Sequence, residues 1–193
     1  MFSDSIINRR SIVAAAGALV ALCLALPLIA APLKTDAAKS AITIVFKQIG
    51  VPVEAKFKKF TAQIDFDAAK PEAAKANIDI DVTSFDLGDA DMNKEVLKKE
   101  WFNAAQFPKA TFASTAIKSV GNGTFQVSGK LSIKGKSVDV AIPLTIKKEG
   151  SNQVFEGTLP IKRLAFNIGE GDWKDTGTVA DEVLIKFRVV AAP

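Results

Sequence analysis

The sequence has no histidine and no tyrosine, and its 193 residues include a single cysteine, Cys23. Histidine and cysteine supply most ligands of zinc and haem sites, and most bases and nucleophiles of hydrolytic dyads. Those sites are excluded in their usual forms, and acid–base chemistry could fall only to carboxylates and lysines. The composition therefore predicts no metal, no cofactor and no catalytic residues of these kinds, which argues against an enzyme without excluding one.

A strong excess of one charge is also missing, because 25 basic side chains face 21 acidic ones and the net charge is only +4. Small lysine clusters at 56–59 and 94–99 flank apolar positions. We interpret them as solvated lysines. Nucleic-acid binding requires a denser basic stripe with exposed aromatic side chains, so no nucleic-acid partner is predicted.

The N-terminus has the layout of a secretory signal peptide. Arg9 and Arg10 precede an uncharged apolar run over 11–33, followed by small residues. Residues 1–31 are predicted as the signal, with cleavage somewhere in 30–38, export to the periplasm and no stable membrane insertion afterwards. An uncleaved membrane anchor is the alternative, since the run could span a bilayer. The paired arginines leave the Sec and twin-arginine routes both open.

After residue 39, apolar and polar residues alternate with period two, as in half-buried strands. Asn122-Gly123 is a strong hairpin signal. Roughly eight such segments in one domain, 39–193, predict an all-β fold, an eight-stranded antiparallel lipocalin-like barrel. A two-sheet sandwich is the structural alternative. Pro143 and Pro160 predict edge positions or local irregularity in their strands.

Three local features interrupt this alternation. Phe57 is out of phase with Phe60, which predicts a β-bulge near Lys58-Lys59. A polar segment with Pro71, residues 68–75, is predicted as a helical turn. One short helix is predicted around residues 89–102, capped by Asp89 or Asp91. Its apolar face would hold Met92, Val96, Leu97 and Trp101.

Four stretches, in order along the chain, resemble the YceI-like family. They are 40–67, Trp101–Pro108 with Thr111-Phe112, 129–144, and 163–183. The resemblance implies a lipocalin-like periplasmic barrel with an apolar channel and no catalysis. Its ligand would be a polyisoprenoid, an isoprenoid quinone or a similar long-chain lipid. Gln48 departs from the histidine of many relatives, so any head-group contact there would come from an amide.

Phenylalanine is abundant, with 13 residues, and strand parity predicts which side chains face the cavity. The predicted lipid-contacting residues on strands are Phe46, Phe57, Phe66, Ile78, Ile80, Phe125, Leu131, Phe155 and Phe166. Loop position adds Phe102, Phe107 and Trp173 as candidates for the mouth. Composition alone does not separate a barrel filled by side chains from one that is open to a ligand.

Three functions fit these observations. The first is a periplasmic binding or carrier protein for an isoprenoid or another long-chain amphiphilic lipid. The second is an envelope or stress-related structural barrel without a bound lipid. The third is an enzyme acting on such a lipid, but Asp79, Asp81 and Asp139 all have the polar parity of their strands. The oligomeric state stays open, a homodimer included.

Overall fold

The computed structural model describes residues 33–192 of the chain. The predicted signal peptide, residues 1–31, and Cys23 lie outside the described residues. Between 33 and 192, no helix has the length and hydrophobicity needed to cross a bilayer.

The described part is built almost entirely of antiparallel strands. The strands are β1 (Lys34–Thr35), β2 (Ala41–Gln48), β3 (Val51–Phe57), β4 (Phe60–Asp65), β5 (Lys75–Asp81), β6 (Phe85–Asp86), β7 (Lys109–Gly121), β8 (Thr124–Ile133), β9 (Lys136–Glu149), β10 (Asn152–Lys162) and β11 (Val179–Ala192). The α-helix α1 covers Ala90–Glu95. Single 3-10 turns cover Ala37–Lys39, Pro71–Ala73, Val82–Ser84, Arg163–Phe166 and Gly171–Lys174.

The strands form one curled sheet in the order β4-β5-β7-β8-β9-β10-β11-β2-β3-β6, and β1 pairs with β11. The sheet meets itself because β3 and β4, near its two ends, are halves of one bent segment joined by Lys58 and Lys59. With β3 and β4 counted as one bent strand, eight strands have six or more residues. The barrel prediction is confirmed, with β1 and β6 as two-residue additions.

The bend occurs where the sequence predicted a bulge. Both flanking phenylalanines pack inward, Phe57 against one apolar cluster and Phe60 against the same cluster and its neighbour. Two intervening residues cannot keep period-two alternation while both rings face inward. The chain therefore changes direction, and the Lys58 N–H donates to the carbonyl oxygen of Ser84 at 3.1 Å.

The two prolines lie where neighbouring strands separate. Pairing of β9 with β10 ends at Leu144 and Gly157. Pro143 lies next to that end and Pro160 three residues past it, and neither could donate a ladder hydrogen bond there. This bears out the predicted irregularity, although each proline is still paired on its other side, with Gln126 and Leu184.

The predicted helix is shorter than the sequence pattern indicated. Asp89 caps it as predicted, with its side chain accepting from the N–H groups of Asp91 and Met92. The α-helix then ends at Glu95, and the chain folds back in turns. Phe102 donates to the Val96 carbonyl oxygen at 2.9 Å, and Asn103 adopts a left-handed φ of 50°.

Extension of the helix to residue 102 was therefore wrong. The apolar residues of the segment reach the barrel through these turns rather than along one helical face. Val96, Leu97 and Trp101 pack against the two apolar clusters, whereas Met92 is 47% exposed.

Candidate ligand-binding cavity

The barrel interior contains two adjacent cavities that are lined mainly by apolar side chains. We call them the lower cavity, toward the 121–124 hairpin, and the upper cavity, toward α1 and the loop 163–178. Their volumes are about 120 Å³ and 160 Å³. Ile80, Leu131 and Ile185 line both, and we call them the waist between the two cavities. Each volume is many times the ~10–15 Å³ that one water molecule requires.

Every side chain that lines the lower cavity is apolar. They are Ile42, Ile64, Phe66, Ala76, Ile78, Ile80, Phe112, Ile117, Val127, Leu131, Ile142, Leu144, Phe155, Leu159, Ile185, Phe187 and Val189. A cavity without polar partners does not hold water well but accepts an apolar guest.

Aromatic rings form the floor of the lower cavity. The ring of Phe66 packs edge-on against Phe125 and Phe155, with centroids 5.3 and 5.7 Å apart. Such edge-to-face pairs are stabilising beyond the area that they bury. All three residues are at least 93% buried, the exposed fraction being 7% for Phe125. This floor closes the barrel at its lower end.

Two glycines make room for rings that line the lower cavity. A Cβ on Gly129 would lie 2.5 Å from the Phe112 ring, and one on Gly157 would overlap the Phe187 ring. Each ring lies across a neighbouring strand where only glycine leaves space. The positions of Phe112 and Phe187 in the cavity wall therefore depend on these glycines.

The upper cavity differs because polar groups join its wall. Gln48, Glu95 and Arg163 line it beside apolar and aromatic side chains. Its apolar and aromatic lining consists of Ile44, Phe46, Phe57, Ile80, Phe85, Leu87, Met92, Val96, Trp101, Phe102, Ala110, Leu131, Ile133, Ile161, Ile168, Trp173, Val179, Val183 and Ile185. Val51 has the inward parity of β3 but lies beside the β2–β3 turn and is 62% exposed.

Arg163 is the most deeply buried charged residue of the described chain, with 2% of its surface exposed. All five of its N–H groups find backbone carbonyl acceptors. These belong to Ile168, Gly169, Trp173, Val179 and Ala180, at 2.7–3.3 Å. The guanidinium thereby fixes the loop 168–180 over the upper cavity.

Burial lowers the pKa of Arg163, while the charges of Asp181 and Asp175 oppose the change. An arginine starts from so high a pKa that it keeps its charge. No carboxylate lies within ion-pair distance of this guanidinium among residues 33–192. The upper cavity therefore has a fixed positive charge in its wall.

Trp101 lies between this charge and a second tryptophan. Its ring is 5.8 Å from the Arg163 guanidinium carbon and 5.2 Å, centroid to centroid, from Trp173. Its indole Nε1 is buried and has no hydrogen-bond partner in the described chain.

The loop that bears Trp173 is also tied to the β8–β9 hairpin. The buried Lys134 amine donates to the Asn167 carbonyl oxygen at 2.7 Å and to the Glu170 carboxylate at 2.9 Å. This hydrogen bond lowers the pKa of Glu170. The roof of the upper cavity is thus held by two cations, Arg163 and Lys134.

Comparison with known proteins identifies the fold family. The YceI-like domain profile matches residues 33–191, nearly all of the described chain. The chain belongs to the YceI-like family. The curated relatives include a UPF0312 protein of Azotobacter vinelandii, 35% identical over 133 residues, which are 66% of this chain and 67% of that protein.

Solved structures agree with this YceI-like assignment. BcnA of Burkholderia cenocepacia is 52% identical and superimposes with a TM-score of 0.81, covering 82% of this chain and 100% of that one. A domain of Saccharophagus degradans described as polyisoprenoid-binding has a TM-score of 0.68 over 83% of this chain and 98% of its own. Its 18% identity shows a shared fold alone.

Nine of the twelve predicted cavity residues of this YceI-like domain line one of the two cavities. Those in the lower cavity or at the waist are Phe66, Ile78, Ile80, Leu131 and Phe155. Those found only in the upper cavity are Phe46, Phe57, Phe102 and Trp173.

The other three predicted residues line neither cavity. Phe125 belongs to the floor beneath the lower cavity, and Phe166 is 1% exposed in the 3-10 turn after β10. Phe107 packs its ring over the β8–β9 turn at Gly135. The left-handed Asn103, whose carbonyl accepts from the Phe107 N–H, turns the chain in that direction.

Of the polar residues in the upper-cavity wall, sequence reasoning singled out Gln48 but missed Glu95 and Arg163. Arg163 was recognised only within a family motif, and Trp101 was placed on a helical face. An arginine immediately after a strand, followed by the apolar Leu164, could have drawn attention to a buried charge. The unpartnered indole N–H of Trp101 leaves no signal in the sequence, because it depends on what the folded chain fails to bring near it.

Proposed function

We propose that this YceI-like protein binds and carries one long-chain lipid, of the polyisoprenoid or isoprenoid-quinone class, inside its barrel. The observation that carries the proposal is the largely apolar interior, in which two adjacent cavities share the waist residues Ile80, Leu131 and Ile185. A site of this shape selects a slim hydrocarbon by burial rather than by directed polar contacts.

The magnitude of the hydrophobic effect is sufficient for such binding. Each buried methylene contributes about 0.8 kcal/mol, so a chain of about ten carbons has a gross driving force of about 8 kcal/mol. Loss of ligand freedom and ordering of side chains reduce this figure. The largely preformed wall keeps the ordering cost low.

Similarity to a domain described as lipid-binding and the predicted export of the chain support this proposal. The Saccharophagus degradans domain of the same fold is described as polyisoprenoid-binding. The basic and apolar pattern at the N-terminus, with Arg9 and Arg10, favours export to the periplasm. There a carrier would shield a lipid from water between membranes. Cell fractionation of the full chain would place it in the periplasmic fraction, and retention in the cytoplasm would contradict the location.

Native mass spectrometry with organic extraction tests the binding. Protein purified from its bacterial host is expected to release a stoichiometric prenyl lipid. A waist-blocking Ile185→Phe should release little, and Leu131→Trp is a second variant in case the first is unstable. Ala141→Phe, at an exposed site on β9, is the matched control and should keep the lipid. An empty wild-type protein that also excludes added polyprenol would overturn the proposal.

A further inference from the structure

The turn between β2 and β3 exposes an isoleucine in a strained backbone conformation. Gln48 and Val51 pair across this turn, so Ile49 and Gly50 form a two-residue loop. Both have a positive φ, of 49° and 76°, as in the type I′ turn, which favours Asn-Gly. A left-handed φ is unfavourable for a β-branched side chain. Because Ile49 is 75% exposed, packing within the described chain compensates little of this strain.

Two other hairpins of the barrel have the same turn with a polar residue in that position. Asn122-Gly123 joins β7 to β8, and Lys134-Gly135 joins β8 to β9; all four residues have a positive φ. Asparagine tolerates the left-handed region, and the Lys134 amine has hydrogen-bond partners. Ile49 alone among these three residues is unfavourable both for the backbone and for solvent. Strain that is retained in this way points to a role outside the fold.

More apolar surface lies at the same end of the barrel. Among residues 33–192, four large apolar side chains are exposed: Ile49, Val51, Met92 and Val120. Val51 is paired with Gln48, which lines the upper cavity, and Met92 lines that cavity too. Val120 lies instead beside the hairpin at the lower end. The exposed apolar surface is therefore concentrated next to the upper cavity.

The size and the charge of this tip restrict what can cover it. A stable protein interface buries about 800 Å² on each partner, far more than a few protruding side chains offer. Two exposed charges adjoin the turn, and they have opposite signs, Lys47 and Asp175. The Asp175 carboxylate accepts from the Thr178 hydroxyl at 2.8 Å, and the Thr178 carbonyl accepts from the Ile49 N–H at 2.9 Å. The tip thus offers no strong charge of one sign to an ionic partner.

We propose that the β2–β3 turn docks on a lipid bilayer by inserting Ile49 and Val51 between the head groups and the acyl chains. A fluid bilayer accepts small protruding apolar groups without a matching pocket. The upper cavity then lies next to the bilayer surface, where a carried lipid would be exchanged. This inference goes beyond lipid binding inside the barrel, and either one can fail without the other.

The residue that the turn favours gives a test with two opposite readouts. Ile49→Asn relieves the left-handed strain, so the melting temperature should rise by about 2–4 °C. Binding of the soluble exported protein to phosphatidylcholine vesicles, measured by co-sedimentation, should weaken at least about tenfold, because an amide loses the apolar contact. Ile49→Leu keeps the apolar tip and should bind within about threefold of the unchanged protein.

Val120→Asn is the matched control, because it removes the exposed apolar side chain at the opposite end. Its vesicle binding should equal that of the unchanged protein. Addition of phosphatidylglycerol to the vesicles should alter the affinity by less than about fivefold, because the charges beside the tip balance. Stronger dependence on the anionic lipid would show that basic side chains elsewhere, and not the apolar tip, bind the bilayer.

Three further results would overturn the proposal. The first is no binding of the unchanged protein to either kind of vesicle. The second is Ile49→Asn that binds as tightly as the unchanged protein or melts at a lower temperature, which would indicate packing within the fold. The third is a dimer in solution that Ile49→Asn converts to a monomer, since a second copy would then cover the tip. Lipid extracted from the barrel is measured separately, so an empty barrel contradicts the carrier function alone.

Discussion

The lower and upper halves of the barrel are both built from antiparallel strands, but their interior walls differ in chemistry. The lower half is lined wholly by apolar side chains and closed by the rings of Phe66, Phe125 and Phe155. The upper half keeps a buried cation, a carboxylate and an amide in its wall. The lower half therefore suits a hydrocarbon tail, and the upper half suits the end of the ligand that has polar atoms.

The halves also differ in what stabilises them. Aromatic and aliphatic packing holds the floor, whereas hydrogen bonds from Arg163 and Lys134 to loop carbonyls hold the roof. Four substitutions or conditions, ordered from the largest expected effect to the smallest, test this contrast.

Removal of a floor ring should have the largest effect. Phe155→Ala is expected to lower the free energy of unfolding by about 3–5 kcal/mol, because it leaves a cavity among buried residues. Phe46→Ala, at the half-buried wall of the upper cavity, should cost less than half as much. Urea denaturation measures both. Equal losses would show that the two halves do not differ in packing.

Removal of the roof cation should come next. Arg163→Met leaves several buried carbonyl oxygens without a hydrogen-bond donor. It is expected to lower the free energy of unfolding by about 3 kcal/mol. Hydrogen exchange should rise mainly at residues 168–180. Arg188→Met is the matched control, since Arg188 is partly exposed and its ion pairs with Glu149 and Glu156 are worth about 1 kcal/mol or less. Exchange that rises uniformly over the barrel would contradict a local role for Arg163.

Adding a methyl group at Gly157, where the Phe187 ring packs closely, should have an intermediate effect on stability. Gly157→Ala is expected to cost about 1–3 kcal/mol and to move the Phe187 ring, which narrows the lower cavity. Gly177→Ala meets only the Asp175 carboxylate, at 3.4 Å or more, and should change thermal stability little. If the two substitutions have the same effect, ring placement over Gly157 is not important for the cavity wall.

Low pH should reduce the stability slightly through Asp86 on β6. Hydrogen bonds from Lys58 and Asn93 lower the pKa of Asp86 from 3.8 to about 2, so the unfolded chain binds protons more readily. Stability from this carboxylate is complete above the unfolded pKa and is lost as the pH falls toward 2. In Asp86→Asn, unfolding measured between pH 6 and pH 2 should show a shallower decline. If the free energy of unfolding falls as steeply with pH as in the unchanged protein, Asp86 does not contribute to the acid sensitivity.

The strands and the bend of the barrel could be predicted from the sequence better than the residues of the cavity wall. Period-two alternation locates the long strands, because one face of each is buried, and the Phe57 and Phe60 mismatch locates the bend. The length of α1 could not be predicted from periodicity, since the fold-back of Phe102 onto the Val96 carbonyl ends the segment's helical path.

The cavity depends on packing between elements that are distant in sequence. Phe107 and Trp101 have similar apolar character and lie in one segment, yet one covers a hairpin and the other faces the ligand cavity. Parity cannot decide between them because neither is in a strand. Whether the interior is filled or open depends on how rings such as Phe187 are placed, and that follows from glycines on neighbouring strands.

The central claim is that both cavities act as one site for a single hydrocarbon chain. Binding affinities for prenyl alcohols of increasing length, measured with the full-length protein by native mass spectrometry, test it most directly. Affinity should rise with each added isoprene unit until the lower cavity is filled, with one ligand per chain. No binding, or affinity independent of length beyond the shortest alcohol, would contradict a continuous site through the waist.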